Sequence, residues 1–348
     1  MRRCFALAAL FLSSAVHAQD RWTPPAGVPD LPTAVTVVPF KLPPDMYMGE
    51  AAGVSTNSKG HIFVFTRTGN DSGPARGGKA ARLWEFEANG KFLREIGKNL
   101  YGFSFAHGVR VDKDDNIWAI DEGSNMVIKF SPDAQVLLVL GRKHEAVDYL
   151  EHYVEREQPA EGARLGSTVR EGGSPNSFDR PTDVAWDTAG NIYVSDGYNN
   201  ARVAKFDKDG NWIKGWGTKG KEIGQFDTVH GIASDTAGRI YVGDRSNRRI
   251  QVFDGDGTFI TQFREVGGGM VCIPPGANPN RVLFVAGNSF SGILKMNLDG
   301  KILGIVSRPG RSEKNALPHS LACPTESELY VGETGTWRVK KITIAATR

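Results

Sequence analysis

Two observations together predict an all-β fold of the six-bladed β-propeller type. A short apolar run returns along the chain from Gly49 onward, beginning near Ala52, His107, Thr182, His230, Gly269 and His319. Five of these starts are followed ten residues later by a second strand-like core, at Ile62, Ile117, Ile192, Ile240 and Leu329. Period-two alternation runs throughout and helical periodicity is nearly absent. Repeats of roughly 40 to 50 residues carrying four strands each are the sequence signature of a propeller.

Size and composition bound the rest. A chain of 348 residues with 40% hydrophobic and 23% charged residues can bury a sizeable core, as one large domain or two ordinary ones. The formal charge is +3 and includes Arg2 and Arg3, so removing the N-terminal segment leaves 3 − 2 = +1. No basic run is present, which argues against a nucleic-acid partner. Residues 1–18 read as a signal peptide: Arg2-Arg3, an apolar stretch from Phe5 to Val16, and Val16-His17-Ala18 as a small-residue cleavage site before Gln19. That apolar run is too short to span a bilayer, so the expected location is secreted or periplasmic, without a membrane anchor. After cleavage Cys272 and Cys323 remain, suited either to a disulfide permitted by export or to buried free thiols.

Taken in order, residues 19–48 form an N-terminal segment, rich in Pro and Gly at first, with a lone β-branched strand over Ala34–Pro39. The propeller occupies 49–348. Its clearest copies are the stretches Asp183 to Asp196 and Gly231 to Asp244, with third strands at Arg202–Phe206 and Arg249–Phe253. Asn89-Gly90, Asp209-Gly210, Asp256-Gly257 and Asp299-Gly300 suit two-residue hairpins. The last copy shows only three strands, so the lone N-terminal strand is expected to supply the fourth and close the ring. A polar insertion at 141–180 contains a candidate short helix over 145–157 and serves either as a lid or as a surface loop. In the fifth copy, Pro274-Pro275 and the residues after them stretch the first turn.

The chemistry follows from register. Inner strands line the channel of a propeller, so equivalent positions form a ring that reads Ala52, His107, Thr182, His230, Gly269, His319. Histidine occupies alternate blades, and three imidazoles then converge on the axis with open positions between them, the arrangement of a catalytic zinc. Manganese, iron and copper suit the same donors. His61, His144 and His152 lie off this register. Residues just after the second strands return to the same level: Arg67, Glu122, Gly197-Tyr198, Arg245, Asn288 and Thr334. Two arginines beside a metal suit an anionic substrate. A phenol near Zn²⁺ and Arg⁺ is expected to have its pKa lowered toward that of a general base.

Stretches such as Gly190-Asn-Ile-Tyr-Val-Ser-Asp196 resemble NHL repeats. Phe65-Thr66-Arg67, Ala106-His107-Gly108-Val109, Pro181-Thr182-Asp183-Val184, Val194 through Asn199, Val229-His230-Gly231-Ile232, Gly243-Asp244-Arg245 and Leu317-Pro318-His319 are similar to motifs of the peptidyl-α-hydroxyglycine α-amidating lyase family. The likeness covers about Gly49 to Ile344. It implies zinc on His107, His230 and His319, catalytic roles for Arg67 and Tyr198, and Arg245 near the substrate carboxylate. The implied reaction cleaves the C–N bond of a small-molecule or peptide α-hydroxyglycine, giving an amide and glyoxylate, and the chain is expected to act as a monomer. The family's calcium uses two backbone carbonyls, matched by Val54 and Val109, and an aspartate after the third histidine. Ser320 stands at that last position, which counts against calcium, and Asn199 replaces the family's cysteine beside the tyrosine. Two other classes remain open on residues alone: a propeller that binds a protein, glycan or small ligand without turnover, and a metal-dependent hydrolase.

Overall fold

The second strand of each repeat is apolar on both faces, as in Ile62-Phe-Val-Phe65 and Ile117-Trp-Ala-Ile120, and such a strand is stable only between two layers. A computed structural model describes residues 27–44, 46–68, 81–143, 177–276, 282–287, 292–308 and 317–345. It resolves that demand with six four-stranded antiparallel sheets. Blade 1 comprises Glu50–Thr56, Ile62–Arg67, Ala81–Phe86 and Phe92–Ile96, and blade 2 Ala106–Val111, Ile117–Asp121, Met126–Phe130 and Val136–Gly141. Blade 3 comprises Pro181–Trp186, Ile192–Asp196, Arg202–Phe206 and Trp212–Trp216, and blade 4 Val229–Ser234, Ile240–Asp244, Arg249–Phe253 and Phe259–Arg264. Blade 5 holds Met270–Cys272, Val282–Gly287, Gly292–Asn297 and Ile302–Ser307, and blade 6 Pro318–Thr325, Glu328–Glu333 and Arg338–Ile344.

The fourth strand of blade 6 is the N-terminal Thr33–Val37, paired antiparallel with Arg338–Ile344 from Thr33↔Ile344 to Val37↔Lys340. The ring is therefore closed by joining the two ends of the sequence, as expected. Each of the six apolar clusters straddles one junction between blades. One joins Phe63, Phe65 and Leu83 of blade 1 to Ile117 and Ile128 of blade 2, and another joins Val54 and Trp84 to Tyr330 and Val339 across the closing junction. Outer strands are half-exposed, so the core lies between blades near the axis. Among the described residues there is no helix, and none long and apolar enough to cross a membrane. Residues 1–18, expected to be a signal peptide, and insertion residues 144–176, with His144, His152 and the candidate helix, lie outside the described residues, as do 277–281 of the stretched turn.

The outer hairpins differ from expectation. At Asn89-Gly90 only Gly90 has positive φ, Gly90 N–H bonds Glu87 O (2.9 Å), and Glu87 N–H bonds Lys91 O (2.9 Å). This is a type I turn followed by a glycine bulge, a three-residue connection rather than a two-residue one. The same pattern recurs at Gly210, Gly257 and Gly300. The glycine is still required, because its left-handed backbone closes the bulge.

Two further features tie the blades together. Arg110, on the inner strand of blade 2, reaches across the channel. It bonds Asp183 of blade 3 through Nε (2.7 Å) and Nη2 (2.5 Å), Leu321 O of blade 6 (2.8 Å) and Val271 O of blade 5 (3.3 Å). Cys272 and Cys323 form a disulfide between the inner strands of blades 5 and 6. Their separation of 51 residues is a long loop to close in the unfolded chain. Cys272→Ser should therefore cost about 2–4 kcal/mol of stability. Thermal unfolding with and without reductant checks this; an unchanged midpoint would show that the bond does not constrain the fold.

Candidate metal centre

The ring residues owe their aim to a repeated irregularity. Between first and second strands the pairing slips at Ala51/Gly53, Ala106/Gly108, Pro181/Asp183, Val229/Ile232 and Pro318/Ser320. Ala52, His107, Thr182, His230 and His319 thus sit in β-bulges, which turn a side chain out of the regular alternation. Blade 5 differs, with Gly269 just ahead of its short first strand. The three imidazoles meet: their ring centroids are 4.7, 4.6 and 5.5 Å apart, and one donor atom from each lies within 4.8 Å of the others. All three are buried.

The intervening ring positions, which carry no metal-binding side chain, turn out to orient the histidines. His107 Nδ1 is 2.7 Å from Thr182 O, and His319 Nδ1 is 2.8 Å from Ala52 O. A backbone carbonyl only accepts, so Nδ1 carries the proton and Nε2 keeps its lone pair for a cation. His230 Nδ1 lies beside the Gly269 backbone but finds no partner of ordinary hydrogen-bond geometry. Each histidine is thus turned toward the equivalent residue of the following blade. Burial, first of all, holds the three imidazoles neutral. His107 and His230 are pushed well below the usual histidine value, with neighbouring charges adding to the effect, and His319 falls to about 3. Zn–N bonds of about 2.0–2.1 Å place the nitrogens of a tetrahedral site roughly 3.4 Å apart. Neutral imidazoles confined within 4.8 Å, two of them with the tautomer fixed by a carbonyl, fit such an ion after slight contraction.

The other residues expected at this level divide unevenly. Tyr198 Oη lies 3.4 Å from Nε2 of both His107 and His230, and Arg245 Nη1 donates to it at 3.2 Å. Gly197 lets that loop approach, since a Cβ there would stand 2.1 Å from Val229 O. Arg67 is buried, pairs with Glu50 (2.6 Å), donates to Ala106 O (3.2 Å) and stacks on Phe105 with its guanidinium 4.0 Å from the ring centre. Thr334 is buried and its N–H bonds Leu317 O (3.1 Å), a loop contact. Asn288 lies outside the described residues. His61 is remote from the cluster, bonded to Glu85 on blade 1. Register placed Glu122 here without giving it a role, and Arg180 carried no signal of its own. The two form an ion pair in which Glu122 is buried and Arg180 half-exposed, and the arginine stacks on Tyr198 at 4.2 Å.

The NHL repeat family matches residues 178–206 and 226–253, within blades 3 and 4. The solved structure of virginiamycin B lyase from Staphylococcus aureus superposes with a TM-score of 0.56 over 91% of this chain and 100% of that one. At 12% identity this shows the propeller fold only. Sequence relatives are more specific. Peptidyl-glycine alpha-amidating monooxygenase of Mus musculus is 27% identical over 88% of this chain and 32% of its own length. The A form from Xenopus laevis is 30% identical over 80% of this chain and 28% of its own. Peptidyl-alpha-hydroxyglycine alpha-amidating lyase 1 of Drosophila melanogaster is 30% identical over 49% of this chain and 29% of its own. This chain belongs to the peptidyl-α-hydroxyglycine α-amidating lyase family. It spans about a third of the length of the first vertebrate relatives.

Within this propeller the protein's own groups act on Tyr198 in the sense opposite to that of a bound metal. Burial, and then the negative charge of Glu122, raise the pKa of Tyr198 more than Arg245 and Arg180 lower it. The protein by itself keeps the phenol protonated, because half-buried arginines do not offset the loss of water around a phenolate. The downward shift expected from sequence requires the added charge of a bound metal.

Proposed function

We infer that this chain is a secreted or periplasmic, zinc-dependent lyase cleaving the C–N bond of a peptidyl- or N-acyl-α-hydroxyglycine to an amide and glyoxylate. One observation carries the reading: three buried imidazole donors converge on a point with the Tyr198 phenol 3.4 Å from two of them. His107, His230 and His319 would hold the ion through Nε2. When bound, it supplies Lewis-acid polarisation of the carbinol oxygen and a charge that favours the Tyr198 phenolate.

The residues then act as follows. Tyr198 Oη takes the proton of the carbinol hydroxyl, whose oxygen becomes the aldehyde oxygen of glyoxylate. The C–N electron pair leaves with nitrogen, and the same phenol returns the proton to that nitrogen, so no proton is gained or lost. Arg67, fixed by Glu50 and Ala106 O, stabilises the negative charge that develops. Arg245 holds the substrate carboxylate while orienting Tyr198 Oη. Calcium on the Val54 and Val109 carbonyls is not part of this proposal, since Ser320 offers no carboxylate and Arg110 already brings a cation into the channel. The Cys272–Cys323 disulfide supports an oxidising compartment.

Purified protein should contain about one equivalent of zinc and release glyoxylate from α-hydroxyhippurate. Stoichiometric metal without glyoxylate would leave a hydrolase or a ligand-binding propeller. A folded sample that takes up no metal would remove both enzymatic readings.

A further inference from the structure

Glu122 follows the second strand of blade 2, at the level of the histidines, and is buried to 3% exposure. Its two oxygens are in different situations. Oε1 accepts from Arg180 through Nε (3.1 Å) and through a shorter bond from Nη2. Oε2 is buried, finds no hydrogen-bond donor among the described residues, and points into the centre 3.6 Å from His107 Nε2. Because His107 carries its proton on Nδ1, both atoms facing each other there are acceptors. A buried carboxylate oxygen with no donor is destabilising, because its lost hydration is not replaced. A cation on His107 Nε2 would ease that contact, and a donor-bearing ligand would supply the hydrogen bond that Oε2 lacks.

The surroundings limit which donor that is. Arg67 and Arg245 put positive charge on the flanks of the site, whereas Glu122 puts negative charge beside Tyr198. A ligand carboxylate is repelled from Glu122 and drawn to the arginines. Arg180 holds the carboxylate in one rotamer from behind and packs over the Tyr198 ring at 4.2 Å, so Oε2 stays aimed at the same point as the phenol. If Tyr198 receives the carbinol proton, the donor left on an N-acyl-α-hydroxyglycine is its amide N–H.

We propose that Glu122, oriented by Arg180, is a substrate-binding acceptor that takes a hydrogen bond from the secondary amide N–H of the ligand and so selects secondary over N-alkylated amides. The identity of the ligand rests on the lyase reading above; the acceptor role does not need turnover.

The test is calorimetric binding of hippurate and N-methylhippurate to the zinc-loaded full chain. Neither compound has the carbinol group, so neither reacts. Wild type should bind hippurate at least about tenfold more tightly, the worth of one charge-assisted hydrogen bond. Glu122→Gln turns its amide oxygen to Arg180 and its NH₂ to the ligand. The preference should then fall below about twofold, with zinc content unchanged. Glu122→Asp, which keeps the acceptor, should retain part of it. Equal binding of the two compounds by wild type overturns the proposal, as does failure to bind hippurate at all. A preference that survives in Glu122→Gln does the same, for it would then come from the methyl group's bulk. Should wild type discriminate yet release no glyoxylate from α-hydroxyhippurate, the acceptor role stands and the lyase reading falls.

Discussion

His230→Ala is expected to abolish both zinc binding and turnover, with bound metal falling from about one equivalent to below about a tenth and kcat/KM dropping about 10³-fold or more. Two imidazoles cannot hold the ion as three do, and open coordination positions are useful only when the protein supplies the rest. His230 is the cleanest of the three to remove. His107→Ala would leave Thr182 O without its donor and His319→Ala would do the same to Ala52 O, whereas His230 Nδ1 makes no comparable bond. The buried void should cost stability on the order of 2–3 kcal/mol, which a closed propeller can bear. Metal analysis on folded protein decides the matter. Retention of a full equivalent would show that the histidines are not the ligands.

Tyr198→Phe should leave metal content and folding unchanged while lowering kcat by about 10² to 10⁴-fold, the range of a lost acid–base group. Only the hydroxyl is removed. The ring keeps its place between the guanidiniums of Arg180 and Arg245, 4.2 and 5.0 Å from its centre. The variant therefore separates proton transfer from packing. Steady-state glyoxylate release with metal quantified in the same sample is the measurement, and an unchanged rate would remove the phenol from the mechanism.

The two predictions differ in how visible their residues were. The histidine tripod was legible because a propeller turns sequence period into angle about an axis: residues at one register position point at one channel. Tyr198 and the two arginines followed from a weaker rule, that a second strand ends where the first began. That rule gave level but not contact. It grouped Thr334, which makes a loop contact, with Tyr198, which reaches two histidines. It also could not separate Glu122 from a surface carboxylate, because its burial and its single-sided pairing with Arg180 depend on a loop packing across blades.

Repeat spacing, strand alternation and the unmatched N-terminal strand determined by themselves the six-bladed ring, its closure and the three converging histidines. Those properties are local or periodic, and a linear string records them. Only the tertiary structure decided that bulges aim the ring residues and that the carbonyls of Ala52 and Thr182 set the tautomers of His319 and His107. Backbone groups are the same in every residue and leave no mark in sequence. Tertiary structure also joined Cys272 to Cys323, laid Arg110 across the channel, and showed that Tyr198 stays protonated without a metal. Each of these depends on distance and exclusion of water between segments far apart in the chain, and residue order does not carry that information.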